Sequence, residues 1–307
     1  MRDLLTVSLV VSAVHLSAPL LLAAMGGLLS ERSGVVNIAL EGQMLFGAFS
    51  AVLAQWWWHN RLVSLLAALT VGALLGLLHA WMSVSLRANQ IIAATATNLL
   101  GVGLTAALIA PIWGKPGASP TVSTIRAMRV PLLERLPAIG LLFRDLTIVD
   151  WFALALAPVL WLVLYRTPFG LRLRSCGENP QSAASVGINV VRVRYQAVML
   201  SAMLAALGGS YLSLVQVGVF QRGMTQGRGF LALAALIFGK WRPMGVLGAC
   251  ALFGLADAFQ FRAQTAGVKL PHELLLALPY VVALIALATF VGRAAAPAAI
   301  GKPYLRE

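Results

Sequence analysis

Residues 4–30 read LLTVSLVVSAVHLSAPLLLAAMGGLLS, an apolar run without a single Asp, Glu, Lys or Arg. A helix of about 20 apolar residues is long enough to cross the hydrocarbon core of a membrane. Further apolar runs, of similar or somewhat shorter length, lie at 42–58, 62–86, 88–114, 151–165, 195–221, 243–261 and 274–292. With one short apolar segment at 229–239, the sequence predicts an all-α, polytopic transmembrane helical bundle of about nine spans, and eight to ten spans fit the pattern.

The composition is that of an integral membrane protein. Of the 307 residues, 60% are hydrophobic and only 11% are charged, and the mean hydropathy is +0.85. The formal net charge is +13, but the basic residues are scattered through short loops and form no compact stripe. Such residues typically anchor loops at lipid headgroups, so we expect membrane lipid as a partner and no nucleic acid.

The N-terminus and the cysteines add two further expectations. The first apolar run continues past the length of a signal peptide and lacks a clear cleavage site, which predicts a retained first helix. The two cysteines, Cys176 and Cys250, lie in a polar loop and in an apolar span. They offer neither a disulfide framework nor the spacing of a metal site.

Residues 177–189, GENPQSAASVGIN, form a polar island between two membrane-length segments. Asn179 is a favourable N-cap, Pro180 suits the first position of a helix, and Gly187 can adopt the left-handed conformation that ends one. The pattern therefore predicts one short surface helix. Because a helix of this length is marginal alone in water, we expect it to pack against a partner.

A long connection at 114–146 is rich in Pro, Gly and Ser and carries mixed charge. Its length indicates a segment that packs over one mouth of the bundle, although an inert connector fits the same composition. The loops give no orientation by charge, because the 23 basic residues divide almost equally between the two sides when the polar island is placed in the cytoplasm.

Catalytic machinery is missing from the sequence. There is no Gly-x-x-x-x-Gly-Lys-Ser/Thr phosphate loop, and His272-Glu273 is not followed by a histidine at the spacing of a zinc protease. We therefore predict that the chain is not an enzyme and that it has no catalytic residues, no metal site and no cofactor of its own.

Polar residues inside apolar segments are candidates for function, because a charge within a membrane span is costly. Glu41 fits a pathway or gating role, or a structural pair with Arg32. Asp257 fits pairing with Arg262 or simple exposure. Asn37 follows a glycine and two valines, so its amide is expected to satisfy backbone groups freed at a helix break, a role that is compatible with binding a substrate.

Two aromatic features carry weaker signals. Residues 56–58 are three consecutive tryptophans that end a span, which is typical of the aromatic belt at a membrane interface. Phe220 and Phe230 flank the polar segment 221–229, where the two rings fit stacking on a planar ligand or ordinary packing.

A short internal sequence similarity relates the two halves of the chain. Residues 33–40, SGVVNIAL, and residues 227–234, GRGFLALA, each place a polar, glycine-containing break before a small, apolar helix. Broken segments in corresponding places predict a broken or re-entrant helix near a transport path, although chance similarity explains so short a match equally well.

Three blocks in order carry a resemblance to a known family: 31–44, ERSGVVNIALEGQM; 177–188, GENPQSAASVGI; and 227–239, GRGFLALAALIFG. Together they resemble permease subunits of ABC importers in the branched-chain amino acid and ribose permease superfamily. Within it, the chain is most similar to the nucleoside (simple sugar) uptake branch. The resemblance covers roughly residues 15–292, and it implies that 1–307 is one transmembrane permease domain.

The resemblance implies that the polar island is a cytoplasmic coupling helix seated in a groove of an ATPase subunit. The coupling residues would be Glu178, Asn179, Pro180, Ala183, Ala184 and Gly187. The loop at 166–194 and the C-terminal tail would then lie inside, and the loop at 114–146 outside. Nine spans would place the N-terminus outside, and a tenth, broken span near Gly34 would reverse that. The substrate path is expected in 33–43 and 226–230, with Asn37, Glu41, Gln43, Phe220 and Phe230.

The resemblance also implies the other subunits of the importer. An ABC ATPase would bind and hydrolyse ATP, a second and non-identical permease would pair with this chain, and an extracytoplasmic binding lipoprotein would deliver the solute. The expected location is the bacterial inner membrane, with several passes. A nucleoside fits as cargo, and a simple sugar such as ribose is the alternative. A proton-coupled secondary transporter using Glu41 or Asp257, and a membrane scaffold without transport, are the alternatives from other classes.

Overall fold

The structure is a computed structural model that describes residues 7–127, 145–265 and 296–305, together with positions 277, 281–282 and 284–285. Its helices are α1 (Val7–Arg32), α2 (Leu40–Trp58), α3 (Arg61–Ala80), α4 (Gln90–Trp113), α5 (Ile148–Arg166), α6 (Pro168–Glu178), α7 (Pro180–Ser185), α8 (Val190–Tyr211), α9 (Arg228–Phe238) and α10 (Pro243–Thr265). Short π-helical turns extend α3 and α8, at Trp81–Ser85 and Leu212–Val217. In the described residues no strand forms beyond one isolated bridge between Ala118 and Gln221, so the all-α prediction is confirmed.

Asparagine side chains begin four of these helices. Asn60 accepts from the Leu62 N–H at the start of α3, and Asn89, Asn179 and Asn189 play the same part for α4, α7 and α8. The amide oxygen satisfies one of the N–H groups that a helix N-terminus leaves without a partner. Local sequence therefore sets where these helices start, and packing decides how they assemble.

Helices α1 and α8 form the centre of the bundle. Within the most apolar 18-residue stretch of each of these two helices, 72% is buried inside the protein, compared with 33% in α3 and in α4. A Cβ added at Gly209 would lie 1.7 Å from the Met44 carbonyl oxygen, and one at Gly47 would lie 2.1 Å from the Ala206 carbonyl oxygen. The backbones of α2 and α8 thus touch directly, which requires glycine at both positions.

Two helices begin inside the protein. Helix α2 starts at Leu40, which has no exposed surface, after the irregular segment 33–39 that follows α1. Helix α9 has 11 residues, so it extends about 16 Å and is too short to cross a hydrocarbon core of about 30 Å. The prediction of a broken or re-entrant helix is confirmed.

Six helices are long and apolar enough to cross a membrane among the residues the structure describes: α1, α4, α5, α10, and α3 and α8 with their π-helical turns. Helices α2 and α9 occupy two more of the predicted segments. The segment 274–292 lies largely outside the described residues. The count of about nine spans stays a prediction.

The C-terminal end of α1 lies at the same end of the bundle as α7, which we call the α7 end. There the Arg32 guanidinium approaches the Glu178 carboxylate at 3.9 Å. Near the start of α1, His15 Nε2 lies 3.0 Å from the Asp145 carbonyl oxygen at the opposite end. If α7 faces the cytoplasm, α1 begins outside, as nine spans would require.

The described part of the long loop runs along the segment 214–222 at the opposite end. The N–H groups of Ser119, Val122 and Ile125 donate to the carbonyls of Phe220, Gly218 and Leu214, at 2.8 to 2.9 Å. This stretch of the loop therefore packs against the bundle. Positions 128–144 of the predicted loop lie outside the described residues.

Candidate functional site

Side-chain amides hold the break between α1 and α2. Asn37 Nδ2 donates to Ser201 Oγ at 2.8 Å and to Gln43 Oε1 at 3.0 Å. Asn37 Oδ1 accepts from the Ala39 N–H at 3.1 Å and from Gln43 Nε2 at 3.3 Å. Asn37 and Gln43 have no exposed surface. Asn37 thus binds a freed backbone group, as expected, and neither amide reaches solvent in this conformation.

The Asn98 side chain on α4 also binds backbone groups at the break between α1 and α2. Its Nδ2 donates to the Ile38 carbonyl at 2.9 Å, and its Oδ1 accepts from the Gly42 N–H at 2.8 Å. A Cβ on Gly42 would lie 2.7 Å from the Thr97 carbonyl oxygen, so the first turn of α2 rests on the backbone of α4. The start of α2 is therefore fixed by a side chain that is distant in sequence.

Glu41 joins the first turn of α2 to the start of α9. Its Oε1 accepts from Thr225 Oγ1 at 2.6 Å and from the Gly227 N–H at 2.8 Å. Its Oε2 accepts from the Gly229 N–H at 2.7 Å. A carboxylate is favourable here because unpaired N–H groups and the positive end of the helix dipole meet at a helix N-terminus. The two predicted breaks thus lie against each other around one buried acid.

The predicted structural pair between Glu41 and Arg32 is wrong. Arg32 lies at the α7 end, where its Nε donates to the Trp241 carbonyl at 2.8 Å. Asp257, the second acidic candidate, is partly buried in α10, and the expected pairing with Arg262 is absent from the ion pairs of the described residues. Arg262 instead donates to Ser8 Oγ at 2.5 Å.

The two candidate phenylalanines do not meet. Phe220 has no exposed surface, and its ring packs edge-on against Phe49 with centroids 5.2 Å apart. Phe230 lies in the first turn of α9 and is 50% exposed. The two rings do not form one stacking platform in this conformation.

The polar island folds as predicted, with one addition. Asn179 Oδ1 accepts from the Ser182 N–H at 3.0 Å, Pro180 is the first residue of α7, and Gly187 has φ of 84°. A further helix, α6, precedes it and was not predicted. Ala183 faces the protein and Ala184 is partly buried, whereas the Val186 side chain is 74% exposed.

The C-terminal segment 296–305 lies against the polar island and the α1–α2 break. The Ala299 N–H donates to the Gly177 carbonyl at 2.9 Å, and the Gly301 N–H donates to the Gly34 carbonyl at 3.1 Å. The Ala298 N–H donates to the Glu178 carboxylate at 3.2 Å. One segment therefore bridges the end of α6 and the entry to α2.

Arg194 sits under this junction with 1% of its surface exposed. Its Nε donates to the Ser33 carbonyl at 3.2 Å and its Nη1 donates to the Lys302 carbonyl at 3.1 Å, while Nη2 has no hydrogen-bond partner in the described residues. Burial raises the pKa of the neighbouring Cys176 thiol. The sequence suggested only a loop cation at 194, because nothing local indicates its burial.

Sequence reasoning missed a polar cluster at the opposite end. The Tyr211 hydroxyl donates to Asp150 Oδ1 and lies 2.8 Å from His15 Nδ1. The Thr147 hydroxyl and N–H both donate to Asp150 Oδ2 at 2.7 Å. The cluster ties α1, α5 and α8 together. Thr147 and Asp150 have the three-residue spacing of a capping box, and that was the available signal.

The residues that the structure describes contain no group of three or more His, Cys, Asp or Glu that could hold a metal ion. The candidate site is instead built from amides, hydroxyls, one carboxylate and backbone N–H groups. Groups of these kinds form hydrogen bonds with polar partners.

Comparison with known proteins adds the family. The model of the family described as branched-chain amino acid transport system, permease component, matches residues 9–291. The chain is 41% identical over 300 residues to the guanosine ABC transporter permease protein NupQ of Bacillus subtilis, covering 94% of each chain. It is 39% identical over 300 residues to the nucleoside ABC transporter permease protein NupC of Lactococcus lactis, covering 95% of this chain and 94% of the other. It is 35% identical over 263 residues to TsgC13 of Haloferax volcanii, provisionally named a glucose ABC transporter permease, covering 84% and 78%.

The helical bundle and these matches define a class of protein, the multi-pass membrane permease subunit of an ABC transporter. The chain belongs to the family of branched-chain amino acid transport system permease components. The predicted resemblance and the predicted location in the cell membrane are confirmed.

Proposed function

We propose that this permease carries nucleosides into the cell as part of an ATP-driven importer. The observation that carries the proposal is the 41% identity, over 94% of the chain, to a permease named for guanosine. The relative named for nucleosides supports the same cargo. The relative provisionally named for glucose favours a simple sugar as the second candidate.

The ATPase partner docks on α7 in this proposal. Support comes from a helix of only six residues that is followed directly by an exposed valine, Val186. Such a helix gains stability from a partner that covers it. Asn179, Pro180 and Gly187 give the helix its ends, and Glu178, Ala183 and Ala184 complete the docking segment. The partner binds and hydrolyses ATP, and this chain transmits the resulting movement.

The C-terminal segment and Arg194 form the route of that movement. Gly177 and Gly34 are bound to the same short segment, through Ala299 and Gly301. Arg194 links Ser33 to Lys302. A displacement of α6 and α7 would therefore reach the entry to α2 through the C-terminal segment and the Arg194 side chain, near the first turn of α8.

The substrate path follows the two breaks that meet at Glu41. Asn37, Gln43 and Phe220 are fully buried, so they contact a solute only after the surrounding helices separate. Phe230, which is half exposed, is accessible without that change. Broken helices at corresponding places in two halves are a recurring feature of transporter binding sites, which supports this position for the path.

Two further partners complete the machine. A second, non-identical permease would pair with this chain, and an extracytoplasmic binding lipoprotein would deliver the nucleoside to the end that carries the 114–127 loop. The loop at 166–194 would face the cytoplasm. The family resemblance supports these assignments.

The test is uptake by the complete transporter, with its ATPase, second permease and binding protein, reconstituted in liposomes. We expect ATP-dependent accumulation of labelled guanosine that excess unlabelled uridine or adenosine reduces and excess ribose leaves unchanged. Competition by ribose alone would favour the sugar alternative. Uptake that persists without ATP and disappears with the proton gradient would instead establish a secondary transporter.

A further inference from the structure

A cleft of about 590 Å³ opens at the α7 end between α5 and the turn that joins α9 to α10. Its walls are aromatic, with Trp161 and Tyr165 on one side and Phe238 on the other. Lys240 and Arg242 stand in its lining from the turn. Apolar walls and a cationic edge thus share one cavity, which none of the nucleoside-path residues lines.

Two more cations flank the aromatic wall. The Arg166 guanidinium lies over the Trp161 ring at 5.9 Å, and the Arg174 guanidinium lies over the Tyr165 ring at 4.8 Å. A guanidinium stacked on a ring keeps its N–H groups directed outward in its own plane. Within the described part of the chain, Arg166, Arg174, Lys240 and Arg242 make no side-chain hydrogen bond and no ion pair, and Arg174 Nε is buried without a partner.

The nearby carboxylates are already engaged. Glu31 Oε2 accepts from Trp241 Nε1 at 2.5 Å. Glu178 accepts from the Ala298 N–H at 3.2 Å and lies 3.9 Å from Arg32. Among the described residues, neither acid forms an ion pair with the four cations at the cleft, so the cleft suits an anionic ligand.

The turn that presents Lys240 and Arg242 is held rigidly. Lys240 and Trp241 both have left-handed backbone, with φ of 54° and 52°, a conformation that costs energy for residues other than glycine. Glu31 binds the Trp241 indole, and Arg32 Nε donates to the Trp241 carbonyl at 2.8 Å. A strained turn fixed from two sides places its cations at defined positions.

We propose that this cleft binds the phosphate-bearing headgroup of an anionic phospholipid, with the acyl chains along the aromatic wall. A soluble phosphate would use the cations but not the apolar surface. Trp161 and Met244 are 41% and 52% exposed at the ends of α5 and α10, two helices long and apolar enough to cross a membrane. Basic pockets between membrane helices recognise anionic lipids through this combination of phosphate contacts and acyl-chain contacts.

Isolated cations at membrane edges are common and bind lipid without selectivity. The cleft differs because two cations line a cavity and two more lie over the rings of its aromatic wall. The site therefore predicts selectivity for headgroup charge, and lipid binding that depends on specific residues.

The experiment is native mass spectrometry of the assembled transporter during titration with dioleoyl phosphatidylglycerol or dioleoyl phosphatidylcholine. We expect the wild-type transporter to bind phosphatidylglycerol, the anionic lipid, at least about fivefold more strongly than phosphatidylcholine. The double variant Lys240→Gln/Arg242→Gln should bind it roughly 30-fold more weakly, since each basic residue near an anionic headgroup contributes about fivefold in affinity. The single variant Met244→Gln, which leaves all four cations in place, should weaken binding to a smaller extent.

The matched control is Lys115→Gln/Arg222→Gln, which removes two exposed cations at the opposite end and should change binding by less than twofold. An equal loss of lipid binding in the control variant would show that only the net charge of the protein matters, and this would overturn the proposal. Equal retention of the two lipids by wild type would do the same. Displacement of phosphatidylglycerol by millimolar inorganic phosphate or glycerol 3-phosphate would show a site for soluble anions and overturn the lipid assignment.

Discussion

The Gly229 N–H donates to the Glu41 carboxylate at 2.7 Å, although the two residues are 188 positions apart in sequence. The contact is close on the backbone side as well, since a Cβ on Gly229 would lie 2.4 Å from the Glu41 nitrogen. Helices α2 and α9 both begin at this point. The two broken segments are thus fastened to each other in the middle of the bundle.

Glu41→Gln should weaken this junction while keeping the size of the side chain. All three partners of Glu41 are hydrogen-bond donors, so the NH₂ group of glutamine would face a donor and leave it without an acceptor. One unsatisfied buried group costs about 1–3 kcal/mol. We expect a lower unfolding temperature of the purified transporter and reduced uptake per folded molecule. Asp145→Asn, which changes an exposed acid outside this junction, is the control for unfolding temperature. Wild-type values for Glu41→Gln in both assays would show that the charge is dispensable.

Gly229→Ala should prevent α9 from approaching α2, because the added methyl group meets backbone that cannot move aside. We expect a strong reduction in folded, membrane-inserted protein, measured by size-exclusion chromatography of a fluorescent fusion. Gly248→Ala is the matched control in α10, since a Cβ there meets nothing within 4 Å. Equal yields of the two variants would argue against close packing at Gly229.

Local features of the fold were predictable and long-range ones were not. Asn179, Pro180 and Gly187 define α7 through interactions within a few residues, so the sequence predicts that helix correctly. The partners of Glu41 come from another part of the chain, and the alternative of a pair with Arg32, a near neighbour in sequence, is not found. The burial of Arg194 escaped detection for the same reason, because it depends on a segment more than 100 residues away.

Asn179→Ala should impair coupling more than stability. Loss of the N-cap bond to Ser182 destabilises α7 by about 1 kcal/mol, a large fraction of what holds a six-residue helix. We expect substrate-stimulated ATP hydrolysis by the assembled transporter to fall by several-fold, with membrane insertion unchanged. Asn60→Ala removes the same kind of cap from α3 at the opposite end and should spare coupling. Full stimulation in Asn179→Ala would count against docking on α7.

Cys176 provides a pH-dependent test of the packing at the α7 end. Burial raises the pKa of its thiol, so the reactive thiolate forms only at a pH above the range of an ordinary cysteine. We expect alkylation by iodoacetamide, followed by peptide mass spectrometry, to be slower than for a free cysteine peptide at pH 7.5. Its half-maximal rate should also occur at a more alkaline pH. A half-maximal rate at or below that of the peptide would contradict this environment.

Arg194→Met should release the C-terminal segment. The variant loses the bonds to the Ser33 and Lys302 carbonyls but keeps an unbranched side chain in place of the aliphatic part of arginine. We expect chymotrypsin to cleave after Tyr304 several-fold faster than in wild type, as followed by intact mass. Arg192→Met, an exposed neighbour on α8, is the control. Unchanged cleavage in Arg194→Met would mean that other contacts hold the segment.

The contacts of Ala299 and Gly301 bear on how the protein should be produced for experiments. An affinity tag or fluorescent fusion joined after residue 307 would begin a few residues after the segment that is bound to Gly177 and Gly34. It would therefore crowd the surface where the ATPase is proposed to dock. A tag at the N-terminus is joined to α1 at the opposite end of the bundle. N-terminal tagging is therefore the safer choice for assembly and transport assays, and a C-terminal fusion suits assays of expression alone.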